Sequence, residues 1–282
     1  MSPIYVPGKV TLKKEFTWNE TVWNPSMLST ALWLDAADAS TVLFNGSNVS
    51  EWRDKSGLGN HVSNGTPATQ PTYLTTAFNG LPTVSFTATG QEVLFNGAMT
   101  NLVSNQDYFI GAVFEFRQTA QGWDMICGWR SQINTITGGT PILQAMSTSQ
   151  QIGVHNTDQA DARIKVDVTT RLTKRIATVG RTGGFNGLNG AVTVTATDPS
   201  QPSYLTTNTQ IWSSVPTNGF QIGGRQQGGT AFGDKYISEI VCCSTNLLTA
   251  DRQKIEGYLA HKWGLTANLP SDHPYKLVGP TP

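Results

Sequence analysis

Asn-Gly stands seven times in this chain, at 45–46, 64–65, 79–80, 96–97, 186–187, 189–190 and 218–219, and no other feature narrows the fold as far. A two-residue type I′ hairpin turn needs positive φ at both central positions, which Asn-Gly tolerates best. The seven dipeptides therefore predict many antiparallel strands joined by tight turns. The segments between them agree: Ile164, Val166 and Val168 alternate with Arg163, Lys165 and Asp167, the period of two of a half-buried strand. Trp123, Met125, Cys127 and Trp129 fall on one face, as do Ile110, Ala112, Phe114 and Phe116. Ile237, Glu239, Val241 and Cys243 form a third face, opposite Tyr236, Ile240 and Cys242. That run is apolar on both sides and predicts a central strand.

One segment has the helical period instead. Thr249 reads as an N-cap, residues 250–263 as helix and Gly264 as its stop, with Ile255, Tyr258, Leu259 and Trp263 in one apolar stripe. The stripe predicts docking against the sheets, followed by a Pro-rich surface tail from Pro270. With 282 residues the chain is long enough for one large all-β core plus a short arm. No repeat of solenoid or propeller length is visible.

Charge sets the partners. Lys+Arg and Asp+Glu are both 19, so no excess is available to hold a phosphate backbone or an anionic bilayer, and nucleic acid and membrane are set aside. Only 13% of residues are charged, so Gly, Asn, Ser and Thr dominate the polar surface. The three cysteines, Cys127, Cys242 and Cys243, read as buried hydrophobes, because adjacent strand residues point to opposite faces and cannot form an ordinary bridge. The opening MSPIYVPG is followed by no apolar signal region, so the chain is expected to be made in the cytoplasm and assembled into a virion.

Residues 1–28 have a different character, with early prolines, a charge cluster at 13–15 and the aromatics Tyr5, Phe16, Trp18 and Trp23 before Pro25. They are expected to form an attachment arm, with folding back as an edge strand the alternative. Residues 29–282 are expected to form the sandwich.

The two ends of that sandwich carry a family likeness. ALWLDAADAST at 31–41, VSEWRDKSG at 49–57 and GNH at 59–61 open it; LTADRQKIEGYLAHKWGL at 248–265, with Leu269-Pro270 and His273-Pro274-Tyr275, closes it. Between them stand NGLP at 79–82 before VSF at 84–86, and FQIGG at 220–224. The pattern resembles the concanavalin A-like, laminin G-like jelly-roll domains of phage and bacterial surface proteins. The resemblance implies an antiparallel jelly-roll β-sandwich with one C-terminal α-helix docked on it. It also implies that lectins, glycosidases and structural modules are all candidate functions.

A retaining glycosidase needs two carboxylates about 5–5.5 Å apart, and relatives on this fold carry them closely spaced in sequence. Here the seven glutamates, at 15, 20, 51, 92, 115, 239 and 256, are isolated from one another, so the chain is expected to catalyse nothing; Glu239 could still meet a distant aspartate in space. His61, His155, His261 and His273 lack paired metal spacing. No cofactor is expected; the resemblance leaves calcium open, with Asp35, Asp38 and Asp54 as oxygen donors, although Asp54-Lys55-Ser56-Gly57 also reads as a turn. Gly223-Gly224 and Gly228-Gly229 open no helix and make no phosphate loop. Trp33, Trp52, Trp129 and Trp263 belong to apolar runs and are assigned to the core, whereas Trp212 lies in a polar segment and is the candidate glycan contact. The expected function is a phage capsid-decoration, head-fibre or tail-associated protein attached through its arm to virion structural proteins. The alternatives are a lectin for host or environmental glycans and a glycoside hydrolase; a homo-oligomer is open.

Overall fold

A computed structural model describes residues 23–99, 107–118, 124–129, 142–145, 151–155, 163–168, 172–183, 188–198, 205–212, 219–224 and 232–282. In chain order the first strands are β1 (Thr30–Asp35), β2 (Val42–Asn45), β3 (Asn48–Trp52), β4 (Val62–Ser63), β5 (Thr72–Phe78), β6 (Leu81–Phe86), β7 (Leu94–Asn96), β8 (Tyr108–Phe116) and β9 (Met125–Trp129). There follow β10 (Ile142–Ala145), β11 (Gln151–His155), β12 (Arg163–Asp167), β13 (Arg175–Thr182), β14 (Leu188–Ala196), β15 (Leu205–Trp212), β16 (Phe220–Ile222) and β17 (Lys235–Cys243), then one helix, α1 (Thr249–Lys262).

Every strand pair among the described residues is antiparallel. One layer runs β15, β14, β13, β8, β17, β1. The other runs β12, β11, β10, β9, β16, β7, β4, β3, β2. The β5–β6 hairpin sews them together, with β6 on β17 and Thr72 opposite Asn48 of β3. The fold is thus an antiparallel all-β sandwich carrying one helix. Leu32, Leu34, Ile110, Phe114, Ile240 and Cys242 of the first layer and Cys127, Trp129, Phe220 and Ile222 of the second are fully buried. Trp129 packs edge-on against Phe220, with ring centres 4.8 Å apart. All three cysteines are free and buried, and burial pushes the Cys243 thiol up to about 12.

Among the described residues the expected Asn-Gly hairpin turn is seen at 79–80, and the other positions differ. Phe78 and Leu81 pair across Asn79-Gly80, whose φ angles of 53° and 81° make the type I′ turn. At 45–48 the loop is instead Gly46-Ser47, because Asn45 pairs with Asn48. Asn189 and Gly190 lie inside β14, opposite Ile211 and Gln210. Asn64 is buried, and its amide donates to the carbonyls of Thr69 and Val93. Asn96 ends β7 and accepts from the Ala98 amide. Asn186-Gly187 and Asn218 lie outside the described residues. Asn-Gly permits positive φ without requiring it, so strand pairing decides where the turn falls.

One facing assignment is corrected. Ile237 pairs with Phe114 while Glu239 pairs with the adjacent Val113, so Ser238 is an extra residue in β17. This bulge puts Ile237 and Glu239 on opposite faces. Glu239, Val241, Trp33 and Asp35 consequently look outward toward α1, while Ile237 turns inward.

The helix starts one residue before its expected bound: Leu248 is the N-cap, Thr249 is already helical, and the cap makes no side-chain hydrogen bond. Gly264 ends it at φ 67°, and the Asn79 amide donates to the Trp263 carbonyl at 2.8 Å. Ile255, Leu259 and Trp263 are buried as the stripe predicts, but Arg252 and Glu256 are buried with them.

The chain enters the sandwich at Trp23, which is 2% exposed and meets Tyr258 of α1 edge-on, with ring centres 6.0 Å apart. Trp23→Ala should therefore lower the free energy of unfolding by about 3–5 kcal/mol, measured by denaturant titration. A loss near zero would show that the ring is not part of the core.

Candidate functional site

The bulge at Ser238 aims Glu239 into a fully buried position between β1, β17 and α1. Its Oε1 accepts from Trp33 Nε1 at 2.7 Å and from the Tyr258 hydroxyl at 3.0 Å. Oε2 accepts from Trp263 Nε1 at 2.5 Å and lies 2.7 Å from Lys262 Nζ. Four donors thus meet the roughly four lone-pair sites of one carboxylate. Burial pushes the Glu239 carboxyl up, against the pull of Lys262.

From this point an alternating row of charges runs to the surface. Lys262 Nζ is also 2.7 Å from Asp35; Lys55 Nζ is 2.8 Å from Asp35 and 2.9 Å from Asp38. Lys55 lies 4.5 Å from the centre of the Trp33 ring. Burial works to lower the Lys55 pKa, but Asp35 and then Asp38 outweigh it and the net direction is up. Burial likewise works to raise Asp38, and the Ser40 hydroxyl and Lys55 bring it below the ordinary value.

Glu239 does meet a distant aspartate, since Asp35 is its cross-strand neighbour. An ammonium group stands between the two carboxylates, so this pair clamps β1 and β17 to α1. The calcium donors are similarly engaged. Lys55 bridges Asp35 and Asp38, while Asp54 accepts from the amides of Trp33, Ser56 and Asn60 and from the Ser56 hydroxyl. These contacts make 54–60 a rigid turn.

A second buried carboxylate was not anticipated. Glu256 of α1 pairs with Arg252 at 2.7 Å, accepts from Thr195 at 3.0 Å, and lies 3.2 Å from His273 Nε2. His273 Nδ1 accepts from the Tyr275 amide, which leaves Nε2 as the donor toward Glu256 and fastens the tail to the helix. Burial alone would raise the Glu256 pKa; the His273 hydrogen bond and then Arg252 hold it below the ordinary value. The i, i+4 spacing of Arg252 and Glu256 was the available signal in the sequence.

Trp33, Trp52, Trp129 and Trp263 are buried as expected. Of the arm aromatics, Trp23 is closed into the core, and Tyr5, Phe16 and Trp18 lie outside the described residues. Trp212 ends β15 opposite Leu188; its side chain lies outside the described residues, as do Trp123 and Gly228-Gly229.

No family model matches the chain, and no curated protein does. Solved structures do share the fold. The receptor-binding domain of botulinum neurotoxin type G superposes with a TM-score of 0.53 at 9% identity, over 83% of this chain and 52% of that one. A mutant of Trypanosoma rangeli sialidase displaying trans-sialidase activity gives 0.50 at 13% identity, over 83% of this chain and 33% of that one. An arabinofuranosidase complexed with arabinofuranosyl-alpha-1,2-xylobiose gives 0.47 at 13% identity, over 78% and 51%. The chain therefore spans about a third of the sialidase and about half of the other two. The expectation that the chain catalyses nothing is corrected by the sialidase likeness: the fold occurs within a glycoside-processing enzyme, and an unpaired set of glutamates in the sequence does not exclude catalysis.

Two outcomes follow from the buried carboxylates. Glu239→Gln breaks the charge pairing and should destabilise the protein by about 3–5 kcal/mol, read from denaturant midpoints; a change under about 1 kcal/mol would show the clamp to be dispensable. The lowered Glu256 pKa makes its contribution complete above the ordinary value of 4.5 and lost as pH falls through the folded value. The melting temperature should drop between about pH 5 and about pH 3, and Glu256→Gln should flatten part of that drop. An identical pH profile in the variant would contradict the assignment.

Proposed function

We propose that this chain is a carbohydrate-recognising sandwich of the concanavalin A-like, laminin G-like jelly-roll class, displayed on a bacteriophage particle. The observation that carries recognition is the fold likeness, over 83% of the chain, to a domain named for receptor binding. Zero net charge and a charged fraction of only 13% support the same reading, since hydroxyl and amide groups suit sugar hydroxyls. For the virion, the support is the aromatic set Tyr5, Phe16 and Trp18, which stands in the sequence ahead of a core-bound Trp23.

Glycan-array binding of the purified chain, with release of free sugar followed in parallel, tests recognition. Retention of selected glycans is the expected result; no retention on any glycan overturns it, and conversion of bound sugar to product makes the chain a hydrolase. Because Trp23 belongs to the core, the attachment test removes residues 1–22 and leaves Trp23 in place. The shortened chain should stay folded and fail to join purified particles; full incorporation would refute the attachment role.

A further inference from the structure

We propose that Phe44 and Tyr73, with Asp38 and Lys55 at their rim, form a binding site for a neutral pyranose on the outer edge of the sandwich. The inference rests on the glycan-recognition reading and adds the place and the sugar class. Phe44 is 49% exposed on β2, which among the described residues pairs only with β3. Its ring meets that of Tyr73 at 5.6 Å and 73°, so two aromatic rings make a corner with an open face. Tyr73 is fixed from behind, because its hydroxyl donates to the Ala36 carbonyl at 2.8 Å.

The Ala36 carbonyl that holds Tyr73 belongs to the loop that carries Asp38, and after burial the negative charges of Asp35 and Asp38 raise the Tyr73 pKa, which brings Asp38 and its partner Lys55 to the Tyr73 side of the corner. Asp38 follows Ala36 by two residues, and its carboxylate is oriented by the Ser40 hydroxyl at 2.6 Å and by Lys55. Thr41 donates to the Asp38 carbonyl at 2.8 Å and leads directly into β2. The Asp38 and Lys55 side chains are 34% and 23% exposed, so both still reach solvent. A pyranose offers an apolar C–H face and an edge of hydroxyls. Aromatic faces, negative at their centres, attract the first; an ionised carboxylate and an ammonium make charge-assisted hydrogen bonds to the second. The row behind the site holds three carboxylates, Asp38, Asp35 and Glu239, against two ammonium groups, Lys55 and Lys262. That excess disfavours a second anion and selects neutral hexoses over sialic acids and uronates.

The test compares the intact chain with Phe44→Ala and Asp38→Asn on the same array of neutral, sialylated and uronate-bearing glycans, with melting temperature as the folding control. The expected result is retention of neutral glycans by the intact chain and a loss of at least about tenfold in affinity in each variant, with the melting temperature unchanged in Phe44→Ala and only slightly lowered in Asp38→Asn, which gives up one partly exposed ion pair. Phe44→Trp keeps the stacking face and should keep binding, with its indole emission shifting as sugar is added. Binding of neutral glycans that neither variant weakens would refute this site while leaving recognition standing, and so would exclusive retention of sialylated glycans. No glycan binding by the intact chain would remove both. Self-association that Phe44→Ala abolishes while sugar binding persists would make the corner an edge contact between copies and would also refute the site.

Discussion

A carboxylate with no exposure must be met by donors on every side, and the construction around Glu239 follows from that requirement. Its four donors come from β1 and from the two ends of one helical turn, so satisfying a single group fixes the helix in rotation and in height above the sheet. The bulge at Ser238 is what presents the group to them; the Ser238 carbonyl accepts from Ala36 and its hydroxyl donates to Thr83, so the extra residue is itself held. Hydrophobic burial alone would let α1 slide along a smooth apolar face. The polar contacts remove that freedom.

The same requirement explains why charge extends outward from the helix in an alternating row. Lys262 neutralises Glu239 and is shared with Asp35, and Asp35 is shared with Lys55, which reaches Asp38 at the surface. Each group is partnered on both sides until water takes over. The aromatic rings of Trp33, Tyr258 and Trp263 line the inner end of this row, where Glu239 and Asp35 are buried and the pairings are strengthened. The loop carrying Asp38 is thereby stiffened from below, a condition that a recognition surface on loops generally needs.

The sandwich was legible in the sequence because alternation at positions such as Ile164, Val166 and Val168 reports a half-buried strand directly, and because the helical stripe of Ile255, Leu259 and Trp263 has no competing period. The faces of β17 were not, since a bulge at a serine leaves no residue signature of the kind glycine gives. Asn189-Gly190 misled for the opposite reason: a pair that allows a turn was claimed by eight registered partners between β14 and β15. The carboxylate hub was invisible because Trp33 and Glu239 are separated by 206 residues, and no local pattern encodes a contact at that distance. Lys55 was read only as part of a turn, although a lysine beside three aspartates was the clue that an ammonium group occupied the place considered for calcium.

The buried Trp23 gives the chain a mechanical character. A pull directed along β1 through Trp23 would load the cross-strand bonds to β17, which run from Thr30 to Asp35, in shear. Shear strains several bonds together instead of opening them one after another. Under the attachment proposed above, resistance to such a load would be set by the unfolding rate, not by the equilibrium stability.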